Sequence, residues 1–173
     1  DSSTPGIVRN TSFSATRPTV VKPLQTRAAD FTSNYNPGEV FSCVTLNAMD
    51  NVYLENISFN DVHITFPGGG TAEQAAVRDV PKVAGEYYQI GVPPAFCIYA
   101  RNVRGLTLYN VSLSRSTPDL RPALIMDHVE NAAINGVNIQ GDGQAESACR
   151  IINGKDILLS YSRLTISAKV FLQ

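Results

Sequence analysis

The sequence predicts an all-β protein, a single domain over residues 1–173 wound as a right-handed, single-stranded parallel β-helix of about five coils. Three observations predict it. Short runs of Val, Ile, Leu, Thr, Phe and Tyr are punctuated by Asn, Gly and Pro, while helix-forming stretches are nearly lacking. One plan is then written four times, as FSCVTLNAMDNVYLENISF (41–59), AFCIYARNVRGLTLYNVSL (95–113), RPALIMDHVENAAINGVNI (121–139) and SACRIINGKDILLSYSRL (147–164). The last three begin 26 residues apart. That period of about 26 is too long for a hairpin and has no helical phase. It suits three short strands and their turns, stacked on the next coil at about 4.8 Å.

Taken in order, IVRNTSF (7–13) is a fragment of an earlier copy, its Val8 to Phe13 matching Leu54 to Phe59. Residues 16–40 and 67–94 interrupt the period and read as insertions at turns between coils. Aligned at equal spacing, one column holds Cys43, Cys97, Ala123 and Cys149. A second holds Leu54, Leu108, Ile134 and Leu159, with one residue deleted from the central turn of the last copy. The third position of the motif apolar-x-Asn-apolar holds Asn10, Asn56, Asn110 and Gly136, residue types that tolerate a left-handed bend. These asparagines read as a hydrogen-bonded ladder, although Asn10, Asn56 and Asn110 each begin an Asn-x-Ser sequon. A polar column of Asn47, Arg101, Asp127 and Asn153 follows the first strand, with Arg101 and Asp127 placed to form a surface ion bridge.

Composition bounds the chemistry. A formal charge of −1 gives no field to recruit nucleic acid or an anionic membrane, and no run approaches a transmembrane helix. The first residues, DSSTPGIVRN, do not read as a signal peptide. Three cysteines without a CxxC pair predict compact inward-facing hydrophobes, with no metal or cofactor role. His63 alternates outward within DVHITF, and His128 follows Asp127 in a turn, so neither suggests a triad or a metal site.

The 67–94 insertion carries the candidate binding residues. After Gly68–Gly70 come Glu73, Arg78, Asp79, Glu86 and the adjacent Tyr87 and Tyr88. Aromatic faces rimmed by charged groups are what a sugar-binding surface uses. The same side chains could instead pin the loop onto the coil wall. Arg101 is a further candidate. The glycine run leads into TAEQ, without the Lys-Ser/Thr of a phosphate-binding loop.

GIVRNTSFS, YLENISFNDVHITFPGGGTAE and RPALIMDHVEN together resemble the downstream coils of glycoside hydrolase family 28, the polygalacturonase and rhamnogalacturonan-hydrolase group. The resemblance spans most of residues 6–140 and rests chiefly on the Gly-rich turn into the long loop. It implies the pectin-lyase-like β-helix, action on pectin-like polysaccharides by an inverting mechanism, and an extracellular or periplasmic location. It also implies that this chain corresponds to C-terminal coils of a longer parent. No catalytic residue of that family carries over: there is no Asp-Asp and no Gly-His-Gly, NYN (34–36) lacks the aspartate, and CRIINGK (149–155) breaks the Arg-x-Lys spacing. Asp61, Glu73 and Asp79 have no motif behind them.

The expectation is therefore a largely non-catalytic part of a pectin-type hydrolase, its 67–94 loop shaping the substrate cleft. The alternatives are a carbohydrate-binding or structural β-helix module, or a trimeric β-helix of the phage tailspike sort. In each, the first coil needs a cover, supplied by residues 16–40, by preceding coils or by another chain.

Overall fold

The computed structural model describes residues 6–21, 37–83, 87–164 and 172–173. They form β1 (Arg9–Thr16), β2 (Val44–Asn47), β3 (Leu54–Phe66), β4 (Ile98–Arg115), β5 (Leu124–Asn135), β6 (Asn138–Ile139), β7 (Cys149–Ile152), β8 (Lys155–Ser160) and β9 (Arg163–Leu164). All nine belong to one sheet system, and every pairing between them is parallel. β4 is the central element. Its first residues lie between β2 and β5, and its remainder lies beside β3. Parallel partners of this kind place each pass of the chain directly alongside the last, so side chains collect in rows of matched residues.

The rows are built from the expected repeats but with different membership. Phe13, Phe59, Leu108, Ile134 and Leu159 share one row, so Phe59 rather than Leu54 stands beside Leu108. Leu54 pairs with Val103 instead. The cause is an excursion. Seven positions separate Asn47 from Leu54, against two between their partners Arg101 and Val103, which leaves five extra residues in the turn after β2. Cys149 is also displaced. It pairs with Leu124, as does Ile98, which moves it one row away from Cys97 and Ala123. Ile134 pairs with Leu159 at the same offset of 25, so the deleted residue precedes Cys149 instead of following it.

Sharp corners let strands as long as β4 bend around one interior. Most of the left-handed φ values fall in rows. Asn10, Asn56, Gly105, Asn131 and Asp156 form one, and Ala15, Asp61, Asn110, Gly136 and Tyr161 a second. Asn102, His128 and Asn153 form a third. The four residues expected in a single bend column are indeed left-handed, but they sort into two rows, Asn10 with Asn56 and Asn110 with Gly136. Asn and Asp tolerate this conformation through short polar side chains, and Gly through having none. The ladder is present within rows. Asn56 Nδ2 donates to Asn10 Oδ1 at 3.0 Å, and Asn110 Nδ2 to Asp61 Oδ1 at 2.8 Å.

Each corner changes the spacing of buried residues from two to three. Ala100, Val103 and Leu106 are buried around Asn102 and Gly105, and Leu108 and Val111 around Asn110. These side chains join Ile57, Phe59, Ile64, Leu113, Ile134 and Ile139 in one continuous core. Full burial of each large aliphatic residue contributes about 1.5–3 kcal/mol.

The strands also bury residues on their outer side. Tyr99 and Ile125 point away from the main core and pack with Val80 and Ile90 of the 67–94 insertion and with Ala95 just after it. That insertion contains two short helices that the strand-rich reading did not include, α1 (Ala72–Ala76) and α2 (Tyr87–Ile90). Thr71 and Gln74 close a reciprocal capping box on α1, which satisfies amide groups left free at a helix start. A buried ion pair anchors the insertion: Arg121 Nη2 donates to Asp119 Oδ2 at 2.8 Å, and the Gly70 amide donates to the same oxygen at 2.9 Å. Of the 16–40 insertion, Thr19 bridges to Thr65 and Pro37–Phe41 forms a 3-10 turn; residues 22–36 lie outside those described. Among the described residues no helix is long and apolar enough to cross a membrane.

Candidate functional site

A cleft of about 520 Å³ opens where the 48–53 excursion, the 67–94 insertion and the third row of corners meet. Its position follows from the strand ends. Arg101 and Asp127 close matched strand segments on the outward side, and Asn102 and His128 then turn the backbone away. This leaves polar side chains at the lip. Val80 and Ile152 provide apolar wall, and Asp50, Tyr53, Asp79 and Lys82 reach in from the two connecting segments.

One wall is organised by Arg101. Its guanidinium is 4% exposed and donates to Asp50 Oδ1 at 3.0 Å and to Asn47 Oδ1 at 3.4 Å. Lys82 Nζ lies 3.3 Å from the other Asp50 oxygen. The expected Arg101–Asp127 surface bridge is therefore not what forms. Arg101 is buried and turned to Asp50, because the excursion after β2 carries that carboxylate over it. The fourth member of the expected polar column is also different, since Asp127 pairs with Ile152 and Asn153 moves to the corner.

Beside Arg101, on the neighbouring strand, Asp127 organises the rest of the lip. His128 Nδ1 lies 2.6 Å from Asp127 Oδ1, and Tyr99 OH donates to Oδ2 at 3.5 Å. Burial first, and the Asp127 charge second, push the Tyr99 phenol up, so it remains a donor across the ordinary pH range. Asn153 Nδ2 stands 3.3 Å from His128 Nε2. The neutral tautomer that suits both contacts carries its proton on Nδ1, toward the carboxylate. The imidazole itself remains half exposed to the cleft.

Further out, Asp79 is exposed and has no ion-pair partner among the described residues. Arg78 Nη1 donates to the Ala75 carbonyl at 2.9 Å, while its Nη2 lies 3.4 Å from Glu146 Oε2. Tyr53 lies under the Arg104 guanidinium, 4.1 Å from ring centroid to Cζ. The cleft thus mixes three cations with three carboxylates and an imidazole. Such a surface offers donors and acceptors in alternation, the demand made by sugar hydroxyls and ring carboxylates.

Of the residues singled out in the sequence, Arg78, Asp79 and Arg101 come together here. Glu73 does not. It sits in the first turn of α1, where a hydrogen bond with Thr71 and then its own backbone amide hold its carboxyl below the usual range. Tyr87 and Tyr88 do not line the cleft either. The Tyr87 hydroxyl fills the space beside Gly38, whose added Cβ would collide with it, and Tyr88 projects outward at 69% exposure. Glu86 lies outside the described residues. His63 faces outward as expected, with Nε2 3.3 Å from Asp61 Oδ1 but without the alignment of a hydrogen bond. Asp61 is held low first by hydrogen bonds from Arg17.

The sequence reading missed Asp50, Tyr53 and Lys82, and undervalued His128. The extra length of NAMDNVY between two strand patterns was the available signal. Comparisons with family models, with curated proteins and with solved structures return no match to the chain.

Proposed function

We propose that the chain is a right-handed parallel β-helix forming part of a pectin-type polysaccharide hydrolase similar to glycoside hydrolase family 28. In this reading it acts outside the cytoplasm. The cleft beside the 67–94 insertion holds sugar units of an acidic polysaccharide, and cleavage depends on carboxylates that this chain does not supply. What supports the helical winding is the set of parallel registers with three rows of left-handed corners around a shared core. What carries the sugar reading is the cleft itself, where Arg101 and Lys82 meet Asp127 and His128 under an insertion.

The arrangement assigns distinct tasks. Lys82 and Arg78 attract a uronate carboxylate, Asp79 accepts from a sugar hydroxyl, and His128 accepts at the lip through Nε2. Buried Arg101 holds Asp50 and the excursion in place. Inverting hydrolysis needs one protonated and one ionised carboxyl flanking the bond with a water between. Titration calorimetry with polygalacturonate and with a neutral glucan tests the proposal, alongside reducing-sugar release. Expected are saturable binding to the uronate polymer, weaker binding to the glucan and no sugar release. Equal affinity for both polymers, or none for either, would overturn it.

A further inference from the structure

We infer that the outer edge of β1 is a docking site for a parallel β-strand carrying a carboxylate opposite Arg9 and a flat apolar side chain opposite Phe13. The inference is independent of the cleft and rests on three rows that run through the stack and, among the described residues, end at β1.

The first row is electrostatic. By register, Arg9, Glu55, Arg104, Glu130 and Lys155 follow one another across five strands. The sign alternates at every step. Arg9 Nε lies 3.9 Å from Glu55, Arg104 Nη1 lies 4.0 Å from Glu55, and Arg104 Nε lies 3.1 Å from Glu130. Opposite charges directly across paired strands are favourable and like charges are not. The next position beyond Arg9 therefore calls for Asp or Glu.

The second row is apolar. Phe13 stacks on Phe59 with ring centroids 4.9 Å apart and planes inclined by 18°. Phe59 is 2% exposed because it is covered on both sides, whereas Phe13 is 45% exposed and bears its free face toward the open edge. Ile7 and Val8, just before β1, are more than half exposed as well. The third row is the amide ladder. Asn10 accepts from Asn56, and its own Nδ2 has no partner among the described residues. Its direction asks for a side-chain oxygen on the next strand, at the same corner.

Among the described residues β1 is paired on one side only, with β3. An unpaired parallel edge in register with a stack is a template for another strand. Head-to-tail stacking of a second copy is the poorer occupant. It would bring β8 against β1 and Lys155 opposite Arg9, placing two cations in one row.

The chain's own β3 sequence has the required pattern, with Glu, Asn and Phe at the three positions, and serves as the probe. A fluorescein-labelled peptide YLENISFNDVHIT and the same peptide with Lys for Glu are titrated by anisotropy against the wild-type chain, Arg9→Glu and Lys155→Glu. The wild type is expected to prefer the Glu peptide by about fivefold. Arg9→Glu should reverse the order, and Lys155→Glu should leave it unchanged. Arg9 is half exposed, so folding of that variant is checked by circular dichroism. No binding, an order indifferent to Arg9, or an order that follows Lys155 would overturn the inference. So would a concentration-dependent dimer that excludes the peptide.

Discussion

The Asp127 carboxylate grips the imidazole of the next residue, His128, at 2.6 Å, although His128 occupies a corner with φ of +51°. Its row-mates in that corner are Asn102 and Asn153. An imidazole is a poorer occupant of left-handed backbone than Asn, so the backbone by itself does not account for His128. His128→Asn should melt within about 1 kcal/mol of the parent, because relief of the corner offsets the lost contact with Asp127. Polygalacturonate binding should nevertheless fall several-fold. Thermal melting and calorimetry on one preparation separate the effects, and a large loss of stability with unchanged affinity would make His128 merely structural.

Asp119 and Arg121 form the most deeply buried ion pair among the described residues, at 0% and 2% exposure. Arg121 also donates to the carbonyls of Phe41, Pro93 and Ala95, so one guanidinium fastens the 3-10 turn, the insertion and the start of β4. Asp119→Ala leaves that charge uncompensated and should destabilise by about 3–5 kcal/mol in urea unfolding. Replacing both residues with apolar ones should cost less than the single change. If the single variant unfolds at the parent's urea concentration, the clamp is incidental.

The corners show how far the sequence could be read. Leu-Tyr-Asn-Val at 108–111 has the pattern apolar, polar, turn-tolerant, apolar, and the structure buries both ends of it around Asn110. Val-Arg-Gly-Leu at 103–106 and Ala-Arg-Asn-Val at 100–103 do the same. Parallel pairing and an all-β core were legible because this local pattern is set by backbone sterics. Row membership was not, since a five-residue excursion after Asn47 and a deletion before Cys149 leave each repeat looking intact while shifting its partners. The cleft was least legible. Asp50, Lys82, Arg101 and Asp127 meet only through those partner shifts and the fold of the insertion, neither of which a periodic pattern encodes.

Glu146 ties three separate segments together. It accepts hydrogen bonds from Gln173, from Arg150 at 2.7 Å and from Arg78 at 3.4 Å. The bond from Gln173, then the Arg150 charge, hold its carboxyl below the usual range. A depressed folded-state pKa adds stability that is complete above the unfolded value and is lost as pH falls through the folded one. Melting temperature should therefore drop from neutral pH toward pH 3, and Glu146→Gln should remove part of that slope. An identical slope in the variant would assign the acid sensitivity elsewhere, with Asp61 and its Arg17 partner the next group to test.

The three cysteines lie in different packing positions but share one chemical fate. Burial pushes the Cys43 thiol up to about 11 and the Cys149 thiol up to about 12, and Cys97 rises for the same reason. The thiolate is the reactive form, so at pH 8 almost none is available in the folded chain. A disulfide reagent should modify the native protein slowly and all three positions at once in urea. Because Cys97 stands beside Ala123 in its row, Cys97→Ala should fold and cost only about 1 kcal/mol, the loss of one buried sulfur. Rapid labelling of native Cys97 would mean that the interior opens readily, contrary to a core whose central strand is closed on both sides.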